Sequence, residues 1–266
     1  MKRPNVLLVT KGHPFDHNDL FAMFDSLEVD WTHVEQPAAR VFFEPDMAKD
    51  YDALVMYDMP GIEFQPGGPV FEQPTAEYRD GLMSLCDAGK GLFLLHHALA
   101  GWRAWKEYAE IIGGRFLYLP AELRGRSCQD SGYRHGVDHQ VQVLREHPVT
   151  AGLPEQFPMT DELYLAEIFE DSVEPLLASN YQFTADNFYS ARKVVVENKM
   201  YDNSNWQHEQ GSNLVGWVKS YRNSPVVYLQ GGDDVVAYQN EHFQKLLENA
   251  IHWASSSDAL GWASRR

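Results

Sequence analysis

The sequence predicts an α/β sandwich in which helices cover both faces of a mostly parallel sheet. Short continuous apolar runs at residues 6–9, 53–57 and 92–95 are typical of strands buried on both faces. Stretches with apolar residues at helical spacing lie between these runs, as in a doubly wound sheet. A length of 266 residues with 44% hydrophobic residues favours one large domain with a substantial core.

The first half of the chain gives the clearest pattern of alternating strands and helices. The first strand is followed by an amphipathic helix with Leu20, Phe24 and Leu27 on one face. After the second strand comes a loop rich in glycine and proline, residues 60–69. Thr75 is a good N-cap for the next helix, which leads into the strand at 92–95.

The second half is less regular and ends in a strongly amphipathic helix. Strands are expected at 141–144, 163–166 and 176–178, followed by a hairpin formed by 214–218 and 226–229. The closing helix carries a continuous apolar stripe, Phe243, Leu246, Leu247, Ala250, Ile251 and Ala254. We therefore expect a single domain over residues 1–256, with a lid or insertion at 180–213 and a polar, frayed tail at 257–266.

Charge and composition exclude several classes of partner. The net charge is −16, with 38 acidic and 22 basic residues, so nucleic acid and anionic membrane surfaces are not expected partners. No apolar run reaches the roughly 18 residues of a membrane span, and the N-terminus lacks the features of a signal peptide. Two cysteines, Cys86 and Cys128, are too few for a disulfide framework, which favours a cytoplasmic protein.

His96 and His97 directly follow the strand at 92–95 and are the first candidates for a functional site. Ligands bind at the carboxyl ends of strands in open α/β sheets, and histidine transfers protons or binds metals near neutral pH. Neighbouring residues on a strand point to opposite faces, so at most one imidazole faces a given pocket unless the backbone turns there. The alternative is one buried, hydrogen-bonded histidine and one at the surface.

Other candidates lie in loops expected at the same edge of the sheet. His13 follows the first strand, and Asp233 follows a pair of glycines after the strand at 226–229. Asp161 and Glu162 precede a short strand, where they could act as a base or as metal ligands, or only cap a turn. His135 and His139 are four residues apart, but Gly136 argues against the helical zinc-binding arrangement.

Several of these segments together resemble the trehalose-utilisation (ThuA-like) family. The matching segments are residues 89–97, 147–153 and 160–164, the strand at 225–229, and the closing helix at 249–254. The family resemblance implies a class I glutamine amidotransferase-like fold, which is a flavodoxin-like three-layer sandwich. In contrast to amidotransferases, this chain has His96 where the nucleophilic cysteine would lie, and Cys86 in the preceding helix cannot replace it. The family commonly has Gly-His where this chain has Gly232-Asp233, so Asp233 is a candidate replacement for that histidine.

The resemblance implies a role in carbohydrate catabolism. We expect an enzyme acting on a sugar or keto-glycoside by acid–base chemistry, through elimination, isomerisation or hydrolysis, with the assistance of a zinc or manganese ion. The expected catalytic residues are His96, His97, Glu162 and Asp161. The expected substrate-binding residues are His13, Tyr164, Trp102, Trp206 and Asp233, and the expected metal ligands are His13, His97, His135 and His139.

The sequence also leaves two alternative functions open. The chain could be a non-catalytic sugar-binding or accessory subunit of a sugar oxidoreductase system, since the elbow nucleophile is absent. It could also be a hydrolase that uses a metal-bound water. A nucleotide cofactor is not expected, and a homo-oligomer is.

Overall fold

The computed structural model describes residues 3–266, and its central feature is a ten-stranded sheet with helices on both faces. The strands are β1 (Asn5–Lys11), β2 (Asp30–Glu35), β3 (Ala53–Asp58), β4 (Ile62–Gln65), β5 (Gly68–Phe71), β6 (Gly91–Leu95), β7 (Gly114–Arg115), β8 (Ala121–Leu123), β9 (Arg126–Cys128), β10 (Gly132–Val143), β11 (Gln156–Leu165), β12 (Glu167–Ile168), β13 (Glu174–Ser179), β14 (Tyr189–Ser190), β15 (Leu214–Tyr221) and β16 (Ser224–Leu229). Three pairs of them, β4 with β5, β7 with β12 and β8 with β9, form separate two-stranded sheets. The helices are α1 (His17–Ser26), α2 (Ala76–Asp87), α3 (Lys106–Ile112), α4 (Ala191–Glu197), α5 (Val235–Tyr238), α6 (Glu241–Ala254) and α7 (Ser257–Ala263).

The sheet has a parallel half and an antiparallel half. Strands β2, β1, β3, β6 and β16 lie side by side in that order, and all neighbouring pairs among them are parallel. From β16 the sheet continues through β15, β13, β10 and β11, with every pair antiparallel. The predicted α/β sandwich is confirmed, and four of the five strands in its parallel part, β1, β3, β6 and β16, are apolar segments that the sequence indicated.

Alternation along β1 shows how the sheet separates two hydrophobic cores. Val6 and Leu8 point into the core that α1 and α6 cover, whereas Leu7 and Val9 point into the core on the opposite face, which α2 and α3 cover. All four side chains are fully buried. This burial on both faces explains the continuous apolar runs of the parallel strands.

The long ribbon of β10 and β11 returns over the carboxyl edge of the parallel strands. It pairs with β13 only through residues 141–143 of β10. Its other end reaches the loop after β16, where the Tyr164 N–H donates to Gln230 Oε1 over 2.8 Å. The ribbon thereby places residues of β11 beside the strand ends where ligands bind in such folds.

Element boundaries differ from expectation in several places. The short strands expected at 141–144 and 163–166 are the ends of the twelve-residue strand β10 and the ten-residue strand β11, and β2 was not anticipated. In place of a frayed tail, Ser257–Ala263 form helix α7, which is capped by the Ser256 hydroxyl and buries Ala259 and Ala263.

Within residues 3–266, no helix combines the length and the apolar character that a membrane span requires.

Candidate functional site

Four side chains from distant parts of the chain meet at the carboxyl edge of the sheet. They are His13 after β1, His96 after β6, Glu162 in β11 and Asp233 after β16, and one donor atom from each lies within 4.8 Å of the others. We call this set the donor group. The His96 Nε2 atom lies 3.3 Å from both Glu162 Oε2 and Asp233 Oδ1, and the His13 Nε2 atom lies 3.6 Å from the same Asp233 oxygen.

The backbone turns at His96, so both neighbouring histidines reach the same region. His96 has a φ of 50°, in the left-handed range that is uncommon for residues other than glycine, and residues His96–Ala100 form a 3-10 turn. His97 stacks on His13 with ring centroids 4.6 Å apart, and its ring lies 5.4 Å from that of His96. Such backbone strain is concentrated at functional sites, because the surrounding structure must hold it in place.

The hydrogen bonds of His96 define which ring nitrogen faces the carboxylates. Its Nδ1 lies 2.7 Å from the Gln230 carbonyl oxygen, which can only accept, so Nδ1 carries a proton. In the neutral imidazole, Nε2 therefore presents its lone pair to Glu162 and Asp233. In metal-binding histidines, the ring nitrogen that does not bind the metal usually donates its hydrogen to such an acceptor.

Without a cation, the two carboxylates attract a proton to His96. Burial alone would lower the pKa of His96, but hydrogen bonds and charge interactions with Asp233 and Glu162 raise that pKa well above its usual value. Burial would also raise the pKa of Asp233, yet the hydrogen bond and charge of His96, with the charges of His13 and His135, lower it to about 2. The site is therefore built to hold positive charge between two carboxylates.

His97 is an imidazole without a hydrogen-bond partner. Its side chain is buried, and neither ring nitrogen has a partner among the described residues. Burial, followed by the nearby charges of His96 and His13, lowers the pKa of His97 well below its usual value. His97 is therefore neutral at physiological pH, and it forms part of the wall of a cavity beside these residues.

Asp161 positions the donor group and does not itself join it. Its carboxylate accepts hydrogen bonds from the backbone N–H groups of Gly232 (2.6 Å) and Asp233 (3.1 Å). Burial raises the pKa of Asp161 to about 7, although the charge of His96 and these backbone donors act in the opposite direction. Gly231 allows this close approach, since a Cβ there would lie 2.9 Å from Asp161 Oδ2. These contacts give Asp161 a structural role, and its expected catalytic role stays a prediction.

A cavity of about 140 Å³ opens beside the donor group. Its walls include His13, His97, His135, Glu162 and Tyr164 from the predicted set. The Tyr164 hydroxyl lies 2.8 Å from His96 Nε2, and His135 Nε2 lies 3.1 Å from Glu162 Oε1. The remaining walls are mostly apolar or aromatic, formed by Ala100, Phe116, Tyr118, Tyr133, Ala191, Val194 and Met200.

Three predicted site residues lie elsewhere. His139 bonds to the Ser179 hydroxyl over 2.9 Å, because a bulge between Arg134 and Val137 in β10 turns it to the opposite face from His135. Trp102 is buried against Tyr78 of α2, below the site. Trp206 lines a separate surface groove, where its indole N–H donates to Asp130 over 3.2 Å.

The structure adds site residues that the sequence did not indicate. Gln230 orients both His96 and β11, and the Tyr228 hydroxyl donates to the backbone carbonyl of His96 over 2.9 Å. The position of Gln230 at the end of an apolar strand was a usable signal. The cavity-facing Tyr133 and Tyr118 carried no comparable signal, since only the far end of β10, at 141–144, was predicted as a strand and the loop at Tyr118 was not predicted.

The fold and the site define a ThuA-type α/β sandwich with a histidine–carboxylate group at the carboxyl edge of its sheet. A family model described as ThuA, trehalose utilisation, matches residues 5–254, so the chain belongs to this family. The predicted family and fold class are therefore confirmed. No curated protein matches the chain.

Solved structures share the fold at low sequence identity. A ThuA-like protein of Parabacteroides merdae has a TM-score of 0.64 and 16% identity, covering 96% of this chain and 91% of that one. A ThuA-like protein of Bacteroides uniformis has a TM-score of 0.63 and 18% identity, covering 96% and 93%. Agd3, titled a novel carbohydrate deacetylase, has a TM-score of 0.54 and 12% identity, covering 99% of this chain and 32% of its own.

Proposed function

We propose that this chain is an enzyme of carbohydrate catabolism that binds a divalent metal ion and acts on a sugar derivative by acid–base chemistry. The observation that carries the proposal is the convergence of His13, His96, Glu162 and Asp233 within 4.8 Å. The family description and the carbohydrate activity named for Agd3 support the substrate class.

The donor set fits a zinc or manganese ion. Two imidazoles and two carboxylates are ligand types that both metals accept, and two negative charges balance a divalent cation. The Gln230 carbonyl already fixes the tautomer in which His96 Nε2 can coordinate. His97, His135 and His139 were also expected as ligands, but they are not part of this set. His135 instead contacts Oε1 of Glu162, the carboxylate oxygen that does not face His96.

A bound cation would polarise a carbonyl group of the substrate, making a neighbouring C–H bond more acidic. Two imidazoles of the cavity wall remain free to act on such a substrate. We assign proton transfer to His135, because it is oriented by Glu162 and its 38% exposed side chain can exchange the proton with water. His97 is assigned to hold a substrate oxygen by hydrogen bonding. The Tyr164 hydroxyl, next to His96, is a third polar contact.

Purified protein tests this proposal directly. Elemental analysis after purification in metal-free buffer should give about one zinc or manganese ion per chain. Turnover of 3-keto-glycosides, ordinary glycosides and acetylated sugars is then followed with and without chelator. Substitution His135→Gln should lower turnover by about 10²-fold or more while leaving the metal content unchanged. Full activity of metal-free protein would overturn the metal assignment.

The non-catalytic alternative makes a different prediction in the same assay. A sugar-binding accessory subunit would bind glycosides calorimetrically but convert none of them, or would bind only with a partner enzyme. The unpartnered nitrogens of buried His97 favour catalysis or tight substrate recognition over simple surface binding.

Location and assembly are part of the same proposal. Cys86 and Cys128 are both buried free thiols, which agrees with a reducing cytoplasmic location. We also propose a homo-oligomer that uses no nucleotide cofactor, as expected from the sequence. Sedimentation of the purified protein and its absorbance spectrum would test these two points.

A further inference from the structure

The cavity beside the donor group is too small to enclose more than one sugar ring. Its volume of about 140 Å³ is well below the several hundred cubic ångströms that enclose a drug-sized ligand. A larger substrate must therefore extend through the mouth of the cavity. The chemistry of the mouth then determines which groups can be attached to the sugar.

Three large apolar side chains are exposed and either line the cavity or contact residues of its wall. They are Phe64, Met200 and Tyr201, with 49%, 52% and 56% of their surface accessible. We call this set the rim. Each is connected to the cavity: Met200 lines it directly, and the Phe64 ring packs edge-on against Tyr118 at 5.2 Å.

Tyr201 is held outward by its backbone. Its φ of 58° is unusual for a bulky residue, and its N–H donates to the Tyr133 hydroxyl over 2.9 Å. The Tyr201 ring lies 6.0 Å from the ring of His135, the proposed proton carrier. An aromatic side chain fixed in a strained conformation at the mouth indicates a positioned contact surface.

The two segments that carry the rim support each other. Phe64 lies on the β4–β5 hairpin, and Met200 and Tyr201 follow α4. The hairpin packs on α4, and a Cβ on Gly68 would lie 3.7 Å from Val196. The two segments that carry the rim are therefore in contact beside the cavity.

We propose that the substrate is a glycoside with an apolar, aromatic aglycone, whose sugar ring enters the cavity while the aglycone lies on the rim of Phe64, Met200 and Tyr201. This inference rests on the proposed carbohydrate function. A free monosaccharide would leave all three side chains exposed, whereas an aromatic group would cover them through stacking and contact with the adaptable methionine. The continuity of the rim with the cavity favours the substrate itself over a protein partner.

Calorimetry with matched glycoside pairs tests the inference. Methyl and phenyl glycosides of glucose, galactose and mannose, in both anomers, are titrated into zinc-loaded protein. For the sugar that binds, the phenyl glycoside should bind at least about tenfold more tightly than its methyl counterpart. The variants Phe64→Gln and Tyr201→Asn should reduce this ratio to within about threefold, and asparagine tolerates the left-handed backbone at 201.

Control and opposing outcomes separate this inference from the proposed function. Leu144→Ser removes a similarly exposed apolar side chain (46%) outside the rim and should leave the phenyl-to-methyl ratio unchanged.

Equal binding of phenyl and methyl glycosides would overturn the aglycone inference while the carbohydrate function stands. Binding of none of these glycosides at millimolar concentration would also overturn the aglycone inference, whereas the turnover assays with 3-keto-glycosides and acetylated sugars decide the carbohydrate function separately. A rim variant that changes the sedimenting mass would instead show that a second copy of the chain covers the rim, which also overturns the inference.

Discussion

At the scale of single residues, His96 and His97 are neighbours in sequence with opposite environments. His96 is held by Gln230 on one nitrogen and faces two carboxylates with the other. His97 has no hydrogen-bond partner in residues 3–266 and stacks on His13. The positive φ at His96 produces this difference, because it ends the regular alternation of the strand.

This contrast predicts different effects for two equivalent substitutions. His96→Gln removes a proposed metal ligand, so metal affinity should fall by more than the ten- to hundredfold that is typical of losing a residue that only hydrogen-bonds to a ligand. His97→Gln should retain the metal and lose turnover. Elemental analysis and a chelator competition assay measure the affinities. Equal metal retention in both variants would contradict the assignment of His96 as a ligand.

Asp58 is a second residue with an unusual environment, separate from the donor group. It is fully buried at the end of β3; Gln36 donates to one of its oxygens over 3.2 Å, and the other oxygen has no partner. Burial raises the pKa of Asp58 from 3.8 to about 7. Its protonated form is therefore the one that the folded protein favours.

Asp58→Asn should make the protein more stable at pH 8. The folded protein holds the Asp58 proton up to about pH 7, whereas the unfolded chain releases it near pH 4, so this residue lowers the free energy of unfolding as pH rises through that window. The loss reaches roughly 4 kcal/mol above pH 7. Urea unfolding at pH 5 and pH 8 should show the gain of the variant mainly at pH 8. Asp46→Asn, at an exposed position, is the control, and a gain of equal size at both pH values would contradict the assignment.

At the scale of elements, the bulge in β10 determines which histidine reaches the cavity. The register shifts between Arg134 and Val137, and Gly136 in the bulge has a φ of 60°. Without this extra residue, strand alternation would place His135 and His139 on the same face. The bulge therefore separates a cavity residue from a core residue.

Substitution of Gly136 tests the importance of the bulge. Gly136 and Gly125 both have positive φ, and a Cβ at either would meet no atom within 4 Å. Alanine at either position should therefore cost a similar 1–2 kcal/mol of stability from backbone strain. Only Gly136→Ala should also reduce turnover, because it displaces His135. Equal turnover in the two variants would show that the position of His135 is unimportant.

Elements with strong local patterns could be predicted from the sequence, and those defined by long-range pairing could not. The buried runs of β1, β3 and β6 and the apolar stripe of α6 follow directly from the residue pattern. Strand β2 alternates exposed and partly buried residues at the sheet edge, so its pattern is weak. The path of the β10–β11 ribbon depends on a bulge and on contacts with Gln230, which no local pattern specifies.

The same distinction applies to the site. His13, His96 and Asp233 follow apolar strands, and their convergence follows from the rule that ligands bind at the carboxyl ends of strands. Glu162 could be identified only as a candidate beside Asp161. The separate roles of these two neighbours depend on strand alternation within β11, which points one carboxylate to the cavity and the other to the backbone of Gly232 and Asp233.

At the scale of the whole molecule, metal binding should stabilise the fold. The donor group joins β1, β6, β11 and β16, so a cation that binds only the folded state adds to the free energy of unfolding. At a metal concentration a hundredfold above Kd, this gain is about 2.7 kcal/mol, which corresponds to roughly 5–10 °C in Tm for a chain of this size.

Thermal unfolding with zinc, with manganese and with chelator measures this gain. Glu162→Gln and Asp233→Asn should lose most of the metal-dependent shift in Tm. Glu155→Gln, at an exposed position directly before β11, should keep it. Identical melting of the parent protein in metal and in chelator would contradict the proposed site.

The dispersal of the four donors along the chain has a consequence for biosynthesis. Residues 13, 96, 162 and 233 are widely separated in the sequence. During translation, the proposed coordination sphere cannot be complete until every residue from 13 to 233 has left the ribosome. Binding of the proposed ion would therefore distinguish chains that contain residue 233 from nascent or truncated chains that do not.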